Sequence, residues 1–196
     1  MINQLMQVKA FMSKFKQELH NIPVESMSGS GLALRLRLTH EETKEFANAF
    51  SYNPETGEYD VDQAEALDGL CDRLYCLLGD ALSVGMGYLL PVAFRIVHES
   101  NMTKLWTAAE VAALPSRTDV VFELVAPGTD RPYLVYDPLG KVMKSKSYQP
   151  ADLSELLEEL GGQQLLCFTK ATQLVFGDEP EPDTEQDEDE GGNNPF

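Results

Sequence analysis

Bases are scarce in this chain. Fifteen Lys and Arg stand against 32 Asp and Glu, a formal net charge of −17. A duplex nucleic-acid binder needs a basic footprint, so that class is excluded. Cysteine is scarce too. Cys71, Cys76 and Cys167 are an odd set without C-x-x-C spacing, which excludes a disulfide framework and a zinc site. Buried thiols in a reducing cytoplasm are the expectation. No apolar run approaches the ~18 residues of a membrane span. The start, Met1-Ile2-Asn3-Gln4, lacks the basic and then apolar character of a secretory signal. A cytoplasmic protein with no membrane partner is expected.

The negative charge is uneven. Nine acids and no base fall within 178–190 (Asp178, Glu179, Glu181, Asp183, Glu185, Asp187, Glu188, Asp189, Glu190). That composition predicts a disordered acidic tail over 178–196, appended to a moderately acidic folded part.

Before the tail, the periodicity is mostly helical. Val8, Phe11, Met12, Phe15 and Leu19 recur at three and four and predict a helix over 3–20. Ser26 to Gly31 reads as a flexible Ser/Gly connector. Gly29-Ser30-Gly31 lacks the strand before it and the Gly-Lys-Ser/Thr after it that a phosphate loop requires. Leu34-Arg35-Leu36-Arg37-Leu38 alternates like a strand but runs unbroken into Glu41–Phe50, so a helix over about 33–51 is expected. Asn53-Pro54-Glu55-Thr56-Gly57 is turn chemistry. From Asp60 or Asp62 a long helix should reach Val84, burying Ala64, Leu67, Leu70, Cys71, Leu74, Leu77, Leu78 and Ala81. Gly85 and Gly87 break it. A fourth helix over 90–104 opens on Pro91 and should bury Val92, Ala93, Ile96 and Val97.

The pattern then changes. Thr107-Ala108-Ala109-Glu110 is a capping box. Asp119–Val125 and Pro132–Asp137 read as a hairpin. Pro150-Ala151-Asp152 opens a short helix to Leu160, and Leu165–Thr169 and Gln173–Phe176 read as two short strands. The expected fold is mainly α. It comprises a helical core over 1–104, a small α+β extension over 105–177 and the tail over 178–196.

The chemistry lies in the acids. Helical spacing puts Glu42 and Glu45 on one face with Glu41 on its flank, and lines up Glu65, Asp68 and Asp72 on the next helix. Glu on an exposed helix face is unremarkable. Asp in a helix interior is unfavourable, and like charges four apart repel. Asp68 and Asp72 therefore call for a compensating cation. An oxygen-only donor set suits Mg²⁺, with Mn²⁺ as the alternative.

Four blocks point further. They are Leu34-Arg35-Leu36-Arg37-Leu38 leading into Glu41-Glu42-x-x-Glu45; Asp68-x-Leu70-x-Asp72-x-Leu74-Tyr75 with Gly79 and Gly85; Val97-His98-x-Ser100-Asn101-Met102-Thr103-Lys104; and Gly140-Lys141-Val142-x-Lys144-x-x-x-Tyr148-x-Pro150-x-Asp152-Leu153. In this combination, residues 5–104 and 140–157 resemble the MazG-like, all-α nucleoside triphosphate pyrophosphohydrolases. The nearest branch is that of phage and bacterial phosphoribosyl-ATP pyrophosphohydrolase-like and dimeric dUTPase-like proteins.

The resemblance implies a four-helix bundle and a Mg²⁺-dependent cut between the α- and β-phosphates of a nucleoside triphosphate. The products are a nucleoside monophosphate and pyrophosphate. Such a role belongs to nucleotide-pool housekeeping or phage nucleotide metabolism, in bacterial or infected-host cytoplasm. The family's ExxE pair falls on Glu42 and Glu45, with Glu41 as a base or outer residue. Its ExxD pair meets Gly69 at the Glu position when aligned on Tyr75, which makes Asp68 plus Asp72 the favoured pair. Alignment on spacing gives Glu65 and Asp68 instead, and Glu65 stays an outer candidate. Glu41, Glu42, Glu45 and Asp72 are thus the catalytic candidates, and Glu42, Glu45, Asp68, Asp72 and Glu65 the metal candidates. Asn101, Lys104, Lys141, Lys144 and Tyr148 are the nucleotide-binding candidates, the lysines for phosphate. His98 reads as a hydrogen-bonder rather than a base. The resemblance also implies a homodimer or homotetramer.

Two features depart from the family. Residues 105–139, with the only Trp at Trp106, exceed its usual short connector. The tail, ending Gly191-Gly192-Asn193-Asn194-Pro195-Phe196, resembles the acidic Pro-Phe tip of bacterial single-stranded DNA-binding proteins. That likeness implies partners of the kind that bind such tips. The competing reading is accordingly a catalytically weak nucleotide-binding or adaptor protein that recruits partners through its tail.

Overall fold

The computed structural model describes residues 1–114 and 120–160. The expected strands over 165–169 and 173–176, Cys167 and the acidic tail lie outside the described residues. Within them the protein is mainly α, with two short hairpins. The order is α1 (Ile2–Lys14), α2 (Gly29–Asn48), β1 (Phe50–Asn53), β2 (Glu58–Val61), α3 (Gln63–Ser83), α4 (Leu90–Met102), α5 (Ala108–Ala112), β3 (Val121–Leu124), β4 (Tyr133–Tyr136) and α6 (Ser154–Leu160). No helix among the described residues is long and apolar enough to cross a membrane.

The core is where α1 meets α3. Leu5, Val8 and Met12 project from one face of α1 onto Leu78 and Leu82 of α3, with Leu19, Tyr88 and Leu90 packed around them. Helix α1 stops earlier than the apolar spacing suggests. Lys16 takes a positive φ of 53°, and the chain turns to run beside the end of α3. There the His20 amide donates to the Leu82 carbonyl at 2.8 Å, and the Val24 amide to the Val84 carbonyl at 3.3 Å. Phe15, one of the recurring apolar residues of this segment, is 60% exposed.

The connector over 26–31 is not a flexible linker throughout. Helix α2 begins at Gly29, because the Ser28 hydroxyl accepts from the Gly31 amide at 2.9 Å and so satisfies one of the open donors of the first turn. The Glu18 carboxylate accepts from that hydroxyl at 2.7 Å. The turn over 53–57 closes an unexpected antiparallel hairpin, in which Phe50 faces Val61 and Asn53 faces Glu58. Its four-residue strands are too short to show a period. Of the two starting points considered for α3, Asp62 caps it, its carboxylate accepting from the Ala64 and Glu65 amides.

Helix α3 also buries a different face from the one its leucines suggest. Gly69, Cys76, Leu78, Gly79, Leu82 and Ser83 point inward. Leu67, Leu70, Leu74 and Leu77 face out and are 43–64% exposed. The reason is the seam with α2. A Cβ on Gly69 would lie 2.9 Å from the Phe46 Cα, so the two backbones approach where only hydrogen fits. One turn away on α3, Arg73 stacks its guanidinium on the Phe46 ring at 4.7 Å.

Helix α4 meets the core cluster through Leu90 and runs toward the extension. Within the described part of the extension, the capping box and the hairpin form as the sequence suggests. The capping box forms, with the Glu110 amide donating to Thr107 Oγ1 at 3.1 Å and the Thr107 amide to Glu110 Oε2 at 2.9 Å. Strands β3 and β4 pair antiparallel, Val121 opposite Tyr136, and Trp106 and Val135 are buried.

Gly69→Ala tests the seam. Alanine is favoured over glycine in a helix by roughly 0.5–1 kcal/mol. Overpacking against backbone costs about 1–3 kcal/mol, and that term should win. A lower urea midpoint than the unaltered protein is the expected result. A higher midpoint would mean that the seam is slack.

Candidate active site

Because α2 and α3 touch at Phe46 and Gly69, the acids that flank this contact face each other. Glu42 is the centre of the group. Partial burial, then the carboxylates of Asp72, Glu45, Glu41 and Asp68 in that order, push its carboxyl above the usual range. These are acids from both helices, and no base figures among the causes. Glu65 is not among the charges acting on Glu42. Glu41 leans back along α2 toward Arg37, 3.8 Å away, an exposed pair of little energetic weight.

The donor chemistry fits a hard divalent cation: all five groups are carboxylates, and together they repel. Among the described residues no three His, Cys, Asp or Glu side chains converge into a ready-made metal cage. The arrangement is an open cluster across a helix seam. Gly69, packed against Phe46, has no room for a side chain.

Beside the cluster lies a cavity of about 210 Å³. It is lined by Val8, Phe11, Met12 and Gln17 from the N-terminal segment, Arg35, Leu38 and Glu42 from α2, and Asp72, Tyr75, Cys76 and Gly79 from α3. Phe11 and Tyr75 meet edge to face at 5.5 Å. Burial pushes the Cys76 thiol and the Tyr75 phenol up. Arg35 crosses the back of this space. Its Nε donates to Asp80 Oδ1 at 2.7 Å and its Nη2 to the Cys76 carbonyl at 2.9 Å. Any side chain at Gly79 would collide with the guanidinium. The sequence marks Arg35 only as a charged residue between leucines, and its burial depends on Asp80, 45 positions away.

The nucleotide-binding candidates gather elsewhere. Ser100, near the end of α4, donates to the Gln149 carbonyl at 2.7 Å and to the Tyr148 hydroxyl at 3.1 Å. Lys144 Nζ lies over the Tyr148 ring at 4.5 Å. Asp137 Oδ1 accepts from the Leu139 and Lys141 amides and shapes the Gly140-Lys141 turn, in which Gly140 has φ 80°. Arg131, unremarked in the sequence, holds these parts together. Its Nη1 donates to the Thr103 and Leu105 carbonyls and to Ser145 Oγ, and its Nη2 to the Ser147 carbonyl. Glu110 accepts from the Ser147 hydroxyl at 2.6 Å; that bond and those to the Thr107 and Ser147 amides hold its carboxyl down at about 2. The structure thus joins the blocks carrying Asn101 and Lys104 to those carrying Lys141, Lys144 and Tyr148. No hydrogen bond or ion pair among the described residues links these lysines to the acids.

A carboxyl raised on folding contributes stability that is fully present below its ordinary value of 4.5 and lost as pH rises through the folded value. Glu42→Gln removes both the charge and the loss. In a chelator-containing buffer the variant should melt higher than the unaltered protein at pH 7, with the difference shrinking toward pH 4. A difference independent of pH would show that repulsion at Glu42 is not its cause.

Residues 8–101 match the family described as Phosphoribosyl-ATP pyrophosphohydrolase. No curated protein matches the chain. The matched segment contains the acidic cluster and most of the lining of the cavity, and the family is one of hydrolases acting on phosphoanhydride bonds. Through this segment the chain is similar to a family of the MazG-like, all-α nucleoside triphosphate pyrophosphohydrolase superfamily.

Proposed function

We propose that the protein is a Mg²⁺-dependent pyrophosphohydrolase that cleaves a nucleoside or deoxynucleoside triphosphate to the monophosphate and pyrophosphate. The observation that carries this reading is the family match over residues 8–101, supported by the close approach of α2 and α3 at Phe46 and Gly69 that brings acids of both helices to bear on Glu42. Glu42, Glu45, Asp68 and Asp72 would hold the cation, with Glu65 outside them. When bound, Mg²⁺ neutralises phosphate oxygens and lowers the pKa of a coordinated water. Glu41, outside that set, is the carboxylate that would take the water's proton. Asn101, Lys104, Lys141, Lys144 and Tyr148 form the phosphate-holding group, where Lys serves as a point charge for the outgoing pyrophosphate.

The same reading includes a second copy of the chain. Leu67, Leu70, Leu74 and Leu77 form an exposed apolar stripe at helical spacing on α3, beside the acids. A homodimer or dimer of dimers covers it, completes the family's four-helix bundle and places the site near the subunit boundary. Light scattering at micromolar concentration should give at least twice the mass of one chain. A monomer mass would remove this part of the reading.

Glu45→Gln and Asp72→Asn should each abolish pyrophosphate release from every triphosphate in the presence of Mg²⁺, while the far-ultraviolet spectrum and melting remain those of a folded protein. Full activity in either variant would take that residue out of the site. An unaltered protein inactive on all ribo- and deoxyribonucleoside triphosphates would overturn the enzymatic reading itself.

A further inference from the structure

The cavity behind the acids has no part in the phosphate chemistry at its mouth. Its volume of about 210 Å³ lies below the ~300 Å³ at which pockets for drug-sized ligands begin. It therefore suits a fragment the size of one heterocyclic base, with sugar and phosphates left outside. Glu42 and Asp72 line it on the side of the acidic cluster. A phosphate inside would meet these two carboxylates, whereas a phosphate at the mouth meets whatever cation they hold. The remaining lining is apolar and aromatic, chiefly Val8, Phe11, Met12 and Tyr75, a surface that favours the faces of a base.

One polar group in this lining is committed by its chemistry. The Arg35 side chain is 10% exposed. Asp80 takes its Nε, and the Cys76 carbonyl takes Nη2. The second oxygen of Asp80 accepts from Thr39 at 3.2 Å, so the carboxylate is anchored. Nη1 takes part in neither Arg35 bond. No buried side-chain nitrogen or oxygen among the described residues lacks a partner, so Nη1 must open onto accessible space, and Arg35 lines this cavity. A guanidinium nitrogen only donates and does not lose its proton. With its charge balanced by Asp80, it acts there as a fixed donor waiting for an acceptor. Gln17 lines the same space, and its amide has no side-chain partner among the described residues; it can answer a ring N–H or a ring nitrogen alike.

We propose that this cavity is the base site of the pyrophosphohydrolase and that Arg35 Nη1 selects the base. The inference rests on the function proposed above. The selected bases carry a carbonyl oxygen where cytosine and adenine carry an amine: uracil, thymine and guanine. A carbonyl meets Nη1 with a charge-assisted bond. An exocyclic amine at that place sets donor against donor in a desolvated pocket, and both lose their hydrogen bonds. Adenine N1 and N7 and cytosine N3 lie beside that amine, so the discrimination holds for the pose that turns this edge of the base, rather than adenine N3 or cytosine O2, toward Nη1.

Catalytic efficiency with dUTP, dTTP, dGTP, dCTP and dATP tests this. The first three should exceed the last two by roughly tenfold or more. In Arg35→Gln the five should come within a few-fold of each other, since an amide both donates and accepts. Arg35→Lys, which keeps a cation beside Asp80, is the second variant should the first fail to fold, and it should flatten the order in the same way. Equal efficiencies in the unaltered protein, or an order unmoved in both folded variants, would overturn the assignment and leave the enzymatic reading intact. Metal-free binding of deoxyuridine against deoxycytidine, followed by quenching of tyrosine fluorescence or by nuclear magnetic resonance, reads the cavity without hydrolysis. A preference for deoxyuridine that disappears in the Arg35 variants supports the base site even if no triphosphate is cleaved. Absence of any preference counts against it.

Discussion

The close approach of α2 and α3 at Phe46 and Gly69 is the constraint on which the rest of the molecule depends. With hydrogen in place of a side chain, the two backbones come near enough that Asp72, Glu45 and Asp68 act on Glu42. That apposition is unfavourable by itself, since like charges on neighbouring elements repel. It is offset along the same seam by the stacking of Arg73 on Phe46 and by the pairing of Arg35 with Asp80 and the Cys76 carbonyl. The seam therefore combines a locally strained charge arrangement with two cationic contacts that hold it together. Unequal local stability of this kind is usual at sites of function.

The glycine also accounts for a departure from the family pattern. Under the alignment on Tyr75, the position that would bear a fourth carboxylate is the one where the helices touch. A ligand there and the observed packing exclude each other. Asp68, one residue earlier on α3, remains on the rim of the contact, close enough to act on Glu42.

The second half of the molecule is organised by hydrogen bonds more than by apolar burial. Arg131 ties three backbone carbonyls and a serine into one junction, and Glu110 serves both its own helix start and the loop around Ser147. These bonds fix the segment between Lys141 and Tyr148 against the end of α4. Lys141, Lys144 and Tyr148 thus lie in a different part of the chain from the acids of α2 and α3, and the proposed triphosphate with its cation would engage both.

Much of this was legible in the sequence, for physical reasons that differ from residue to residue. Helical spacing alone places Glu42 with Glu45 and Asp68 with Asp72, and the poor helix propensity of Asp marks that face as unusual. The capping box at Thr107 and the hairpin around Gly128 are local codes, read within a few residues. Other features were not legible. The leucine stripe of α3 looks like a core face, yet the buried face is the one with Gly69 and Gly79, because the neighbour decides how closely a helix is approached. The first hairpin is too short for periodicity to show. Ser28 caps α2 inside what composition presents as a linker. Arg35 owes its place to Asp80 and Gly79, and Arg131 to carbonyls both before and after it in the chain. The sequence by itself determined the mainly helical class and the two acidic faces, since these rest on interactions among residues a few positions apart. Only the tertiary structure decided which faces meet, why a glycine stands at position 69 and how Arg35 is anchored, because those depend on contacts between residues tens of positions apart.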